Sequence, residues 1–242
     1  MSKAASKANP ELLSDGRLAD LDSWNEDVAN QLAAKDGIKL GEDHWQVINA
    51  MRDYYREFNV SPVKKLLKRS LREHSKSDRF DDKLLDSLFP HGVLTQGSKI
   101  AGVPLPYLDV ELERSTLTAK PASAEAKHFT ESFEFEGKQY PVTHLGNLVD
   151  LHLWNEKVAE FMAGKEGITL TDEHWQIVNF LRKFYFEYGI APMVKILQKH
   201  LAHEIGPEQA SKEHLYALFP GGPSRQGSRI AGLPEPQGCI DS

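Results

Sequence analysis

Shifted by 130 residues, the 242-residue chain matches itself without a gap: Gly16 to Val110 falls on Gly146 to Ile240 at roughly 40% identity. Trp24-Asn25-Glu26 meets Trp154-Asn155-Glu156, His44-Trp45-Gln46 meets His174-Trp175-Gln176, Leu88-Phe89-Pro90 meets Leu218-Phe219-Pro220, and Gln96-Gly97-Ser98 meets Gln226-Gly227-Ser228. A period this long exceeds solenoid repeats and suits a complete small domain, so the chain must build the same core twice. Between the copies, Ser115-Thr116-Leu117-Thr118-Ala119-Lys120-Pro121-Ala122-Ser123-Ala124 is polar and rich in small residues, which reads as a linker. The expected division is a first domain over 1–110, a linker over 111–130 and a second domain over 131–242.

Each copy carries helical patterning. Ser23 with Glu26 three residues on reads as a capping box opening a helix that closes near Gly37. A second helix is expected from Asp43 to Phe58, with Trp45, Ile48, Met51 or Arg52, Tyr55 and Phe58 at three- and four-residue spacing; Trp175, Val178, Leu181, Tyr185 and Tyr188 repeat it. The recurring aromatics Trp45, Trp175, Tyr55 and Tyr185 are assigned to the core. Pro62 and Pro192 mark the start of a third helix, Leu88-Phe89-Pro90 and Leu218-Phe219-Pro220 the end of a fourth, and Gly102 and Gly232 the end of a fifth. Before the second copy only, Phe133 to Val142 alternates apolar and polar residues around Gly137, the signature of a β-hairpin. The expected fold class is mainly α: two tandem small helical domains of the orthogonal-bundle type, the second with an N-terminal β-hairpin.

Chemistry concentrates at one sulfur. Cys239 is the single cysteine, so no intramolecular disulfide can form. It ends an arm, Gly232-Leu233-Pro234-Glu235-Pro236-Gln237-Gly238-Cys239. Seven residues span roughly 25 Å when extended. Prolines stiffen such a segment and forbid helix, which presents the thiol. The first copy has Asp109 in the matching position, so only the second can carry sulfur. His200, His203 and His214 near Glu204 lack the fixed ligand spacing of a metal site and read as solvated helix residues; His44 and His174 read as capping or packing residues of first helical turns. No phosphate loop or dinucleotide fingerprint occurs, and no cofactor or metal is expected. A net charge of −6 argues against a surface that grips nucleic acid throughout. The absence of an apolar run of about 20 residues argues against a membrane span. The opening Met1-Ser2-Lys3-Ala4-Ala5-Ser6-Lys7 lacks the apolar stretch of a secretory signal, giving an expected cytoplasmic location.

These residues resemble the DsrC/TusE family of sulfur-relay proteins over almost all of both copies. The resemblance rests on the Gly-x-Leu and Trp region, the Asp/Glu-His-Trp helix start, the Arg-x-x-Tyr stretch, Leu-Phe-Pro, and above all the string from Gln226 to Cys239. It implies a small helical domain with a hairpin, and an arm whose cysteine carries persulfide sulfur between partners. In the DsrC branch a second cysteine, eleven residues earlier, lets the pair hold sulfur as a trisulfide or close as a disulfide. Ser228 stands there, so the second copy resembles the TusE branch; with Ser98 and Asp109 at the two positions, the resemblance implies that the first copy should be inert in transfer. The family usually stops one residue after its cysteine, whereas Ile240-Asp241-Ser242 follow here.

The leading expectation is a cytoplasmic carrier of persulfide on Cys239 between donor and acceptor proteins, in tRNA thiolation or a sulfur-oxidation pathway, and more a sulfurtransferase-type carrier than a conventional enzyme. Transfer needs a thiolate, and Arg225, Arg229 and Lys195, with Arg182 and Lys199, are candidate cations to favour it. The alternative is a regulatory or nucleic-acid-binding helical module without sulfur transfer. Its candidate contacts are Lys64, Lys65, Lys68 and Arg69 on the basic third helix of the first copy. A third reading makes the first copy architectural, occupying the place of a second protomer or a partner.

Overall fold

The computed structural model describes residues 11–13, 16–106 and 131–236. The chain divides into two compact units, Met1–Tyr107 and Leu108–Ser242. The linker expected over 111–130 and the positions of Asp109 and Cys239 lie outside the described residues.

In the first unit a 3-10 turn, Leu21–Ser23, leads into α1 (Glu26–Lys35), α2 (Glu42–Phe58), α3 (Lys64–Ser75) and α4 (Asp82–Leu88). A π-helical turn over Val93–Gly97 then runs into α5 (Ser98–Ala101). The capping box placed at Ser23 is not the helix start. Asn25 caps α1, its Oδ1 accepting the Val28 amide at 3.0 Å, while the Ser23 hydroxyl donates to the Asp20 carbonyl and closes the preceding turn. Both side chains can cap, and the tight turn already uses Ser23. Asp81 caps α4 in the same way through the Leu84 amide.

The core forms because α2 turns Val47, Ile48 and Met51 inward, where Leu32, Leu67, Leu85, Phe89 and Ile100 close around them. The last helix packs against both α1 and α2. Trp45 and Tyr55 pack on the margin of this core and stay half-buried, so they are less interior than their spacing suggests.

The second unit repeats the plan with α6 (Glu156–Lys165), α7 (Asp172–Tyr188), α8 (Val194–Ile205), α9 (Lys212–Leu218) and α10 (Arg225–Ile230). Tyr185 is buried here while Trp175 remains half-buried. The expected hairpin is present: β1 (Glu131–Phe135) pairs antiparallel with β2 (Lys138–Val142), Phe133 opposite Tyr140. Its two loop residues, Glu136 and Gly137, both have positive φ (49° and 74°), the turn geometry that follows the twist of a tight hairpin. Phe161 of α6 packs on Phe133 and Phe135, tying the ribbon to the bundle. The first copy has Gln31 at the matching position, and among its described residues the strand pairing is reduced to the isolated bridge Leu12–Leu18.

His44 and His174 do cap and pack. His174 Nδ1 accepts from the Thr171 amide, its Nε2–H donates to the Leu218 carbonyl at 3.0 Å, and the ring lies edge-on to Phe219; His44 repeats this with Gly41, Leu88 and Phe89. His200 corrects the solvated reading: it is buried, edge-on to Phe184, because its position on α8 faces α7. No helix among the described residues is long and apolar enough to cross a membrane.

Candidate functional site

The described chain ends three residues short of Cys239, and what the structure builds is the root from which the arm leaves. α10 closes in a Schellman turn: the Gly232 amide donates to the Arg229 carbonyl at 2.9 Å and the Leu233 amide to the Ser228 carbonyl at 2.8 Å. That turn needs a left-handed residue, and Gly232 has φ +65°. The absent side chain also makes room, since a Cβ on Gly232 would sit 2.3 Å from Trp154 Cδ1.

Three side chains then take three closely spaced carbonyls of the root. Trp154 Nε1 donates to Ile230 O at 2.8 Å, Arg182 Nη1 to Ala231 O at 2.6 Å, and Asn147 Nδ2 to Leu233 O at 2.8 Å. The Arg182 guanidinium lies 3.7 Å from the Trp154 ring centroid, so the two clamps brace each other. Burial pushes the Arg182 pKa down to about 10, which leaves it charged at neutral pH. Beneath the root, Glu166 at the end of α6 accepts from Gln226 Nε2 at 2.8 Å and Arg229 Nη1 at 2.9 Å. Gln226 Oε1 in turn accepts from the Gly221 amide.

The arm is therefore shorter than its sequence implies. Leu233 is fully buried and its carbonyl is held, so the reach of the arm is counted from Leu233. From Leu233 to Cys239 the reach is roughly 20 Å in place of the roughly 25 Å counted from Gly232.

The candidate cations take distinct places. Arg229 is engaged with Glu166, Arg182 with Trp154 and Ala231, and Arg225 Nε lies 3.5 Å from Glu235 Oε1 on the arm itself. Lys195 and Lys199 are exposed on α8. The structure thus gathers Arg182, Arg225 and Arg229 around the root and leaves the lysines on an outer face. Sequence reasoning missed Trp154 as a clamp, and it missed Asn147, Glu166 and Glu235 altogether.

The first copy keeps this machinery. Trp24 Nε1 donates to Ile100 O at 2.8 Å, Arg52 Nη1 to Ala101 O at 2.7 Å, and the Arg52 guanidinium sits 3.5 Å from the Trp24 centroid. Gln96 and Lys99 hold Asp36 as Gln226 and Arg229 hold Glu166. Arg17 replaces Asn147, however, and the arm is fastened instead by the Ser61 hydroxyl donating to Pro104 O.

The basic helix α3 offers little free charge to a phosphate backbone. Lys64 lies 3.2 Å from both Asp82 and Asp86, Lys68 3.2 Å from Asp82, and Arg69 2.9 Å from Glu73, while Arg72 pairs with Asp78. Burial works against the Lys64 charge, but its bonds to Asp82 and Asp86 outweigh that and raise its pKa.

Comparison with known proteins identifies the family. The family model described as DsrC like protein matches residues 5–108 and again residues 134–240. The protein named sulfurtransferase TusE of Pectobacterium atrosepticum is 43% identical over 107 residues, 44% of this chain and 98% of its own length. The Escherichia coli protein of the same name is 42% identical over 106 residues, 44% of this chain and 97% of its own. Among solved structures, Allochromatium vinosum DsrC is 45% identical with a TM-score of 0.43, covering 46% of this chain and 98% of that one. The oxidised γ-subunit of dissimilatory sulfite reductase (DsrC) from Archaeoglobus fulgidus is 40% identical with a TM-score of 0.41, covering 46% of this chain and all of that one. Two matches to one family model, each spanning a full helical copy with its arm root, make this chain a tandem member of the DsrC-like family.

Proposed function

We propose that this protein is a cytoplasmic sulfur carrier in which Cys239 receives sulfane sulfur from a donor persulfide and delivers it to an acceptor protein, in tRNA thiolation or a sulfur-oxidation pathway. The observation that carries the reading is the root: Trp154, Arg182 and Asn147 fix three closely spaced carbonyls where the chain exits, and the arm that leaves them bears the only thiol. A fixed base with a short, proline-stiffened arm delivers its tip into a partner's cleft at small entropic cost. Relatives named sulfurtransferase TusE, each matching 44% of this chain, support the same reading.

The Cys239 thiol gives its proton to solvent, and the thiolate attacks the outer sulfur of the donor's persulfide. A new S–S bond forms on Cys239, the donor's S–S bond breaks, and the donor leaves as a thiolate that takes up a proton; no net oxidation occurs. With Ser228 in place of a second cysteine the chain cannot close an internal disulfide, so release requires a thiol or electrophile on the acceptor.

Intact-mass spectrometry after incubation with a cysteine desulfurase, cysteine and a generic sulfurtransferase tests this. Wild type should gain the mass of one sulfur atom, reversibly with reductant, and Cys239→Ser should gain none. Equal labelling of the mutant, or no adduct on wild type with several competent donors, refutes the carrier reading.

A further inference from the structure

The two copies share a root and differ in what holds the arm beyond it. In the first, a neutral hydrogen bond from Ser61 to Pro104 O does so, and Leu105 is 41% exposed. In the second, Ala191 stands in place of Ser61 and removes that bond, while Thr95 and Leu105 are replaced by Arg225 and Glu235. The replacements face each other. Arg225 Nε, shielded from solvent, lies 3.5 Å from Glu235 Oε1, and Pro236 beyond it is buried. Both changes fall on the copy that bears the thiol.

We propose that Glu235 is a positioning residue: with Arg225 it forms an ionic catch that holds the proximal arm against its own bundle and sets how far Cys239 can travel. The proposal rests on Cys239 being the carrier thiol. Fastened at Glu235, the sulfur lies four residues on and sweeps within roughly 13 Å of that point; released, it lies six residues on and sweeps within roughly 20 Å of Leu233. A half-exposed ion pair biases such an equilibrium by roughly 1.5- to 5-fold, and less at high salt, where charges are screened. A catch this weak yields readily to a partner, and the first copy's neutral hydrogen bond lacks its salt sensitivity.

The test is the distribution of distances between spin labels on Cys239 and on an introduced cysteine at exposed His203 (His203→Cys) in the full chain. The expected result is a compact distribution at low salt that broadens and lengthens in molar salt and in Glu235→Gln. Exchanging the charges (Arg225→Glu with Glu235→Arg) should restore the compact form. Distributions unchanged by Glu235→Gln overturn the catch, and so does broadening that the charge exchange does not repair, because a purely steric role would produce it. The readout uses no sulfur donor, so a failure of persulfide loading and a failure of the catch are separate results.

Discussion

Gly232→Ala puts the arm root under the most direct strain. The new methyl would lie 2.3 Å from Trp154 Cδ1 and 2.8 Å from Cγ, so the indole must leave. An alanine held in the left-handed region costs about 1 kcal/mol. Displacing the indole breaks its bond to the Ile230 carbonyl and strands that acceptor, about 1–2 kcal/mol. It also removes the ring under the Arg182 guanidinium, about 0.5–1 kcal/mol. Together the second unit should lose about 2.5–4 kcal/mol, a large part of a small domain's stability. Urea unfolding followed by tryptophan fluorescence and circular dichroism reads the loss. A double-mutant cycle isolates its cause: the new methyl would also lie 2.9 Å from Trp154 Cβ, so the clash is gone only in a Trp154→Gly background, where Gly232→Ala should cost only the backbone share of about 1 kcal/mol. A loss below about 1 kcal/mol in the native background, or an equal loss in both, would refute the lock. Gly102→Ala should act alike on the first unit, where the methyl would meet Trp24 Cδ1 at 2.3 Å.

Asn147→Ala leaves the buried Leu233 carbonyl without its donor and should cost about 1–3 kcal/mol, with faster amide exchange at Leu233 and Glu235 as the local signature; unchanged exchange there would mean that Asn147 does not anchor the arm. For Asp36, burial acts to raise the pKa, but the hydrogen bonds from Lys99 and Gln96 outweigh it and the carboxyl is held below its usual value. A carboxylate depressed on folding contributes stability that is present above its unfolded pKa of about 4 and is lost as pH falls through the folded value. Acid unfolding of the first unit should therefore be less steep below about pH 4 in Asp36→Asn than in wild type, and identical titrations would remove that contribution.

The internal repeat made the helices, their order and the family resemblance legible, because an identity pattern at one fixed offset fixes both copies at once. The hairpin was legible from its alternation and Gly137. What escaped were contacts between distant positions that the repeat does not share. Asn147 meets Leu233 across 86 residues and has Arg17 as its counterpart, so nothing in the alignment marks it. Glu235 reads as a spacer between prolines until Arg225 is seen beside it. Helix α3 looks like a free basic surface because the acids that neutralise it, Asp82 and Asp86, lie one helix later. Trp154 and Arg182 were visible as repeated residues, yet a repeated Trp and Arg at helical positions carry no signal of which carbonyl each will hold.

The lock between tryptophan and glycine also bears on how the two halves could diverge after duplication. A substitution at Gly102 alone meets Trp24, and loss of Trp24 alone leaves the Ile100 carbonyl without its donor, so neither can drift without the other. Selection for folding is then enough to keep Trp24, Arg52 and Gly102 in a half whose thiol position has become Asp109. The two halves differ instead around the root, at Arg17, Ser61, Thr95 and Leu105 of the first, where Asn147, Ala191, Arg225 and Glu235 stand in the second. Inheritance of the root thus records a constraint on the ancestor's architecture, while the record of altered duty is written in the residues around it.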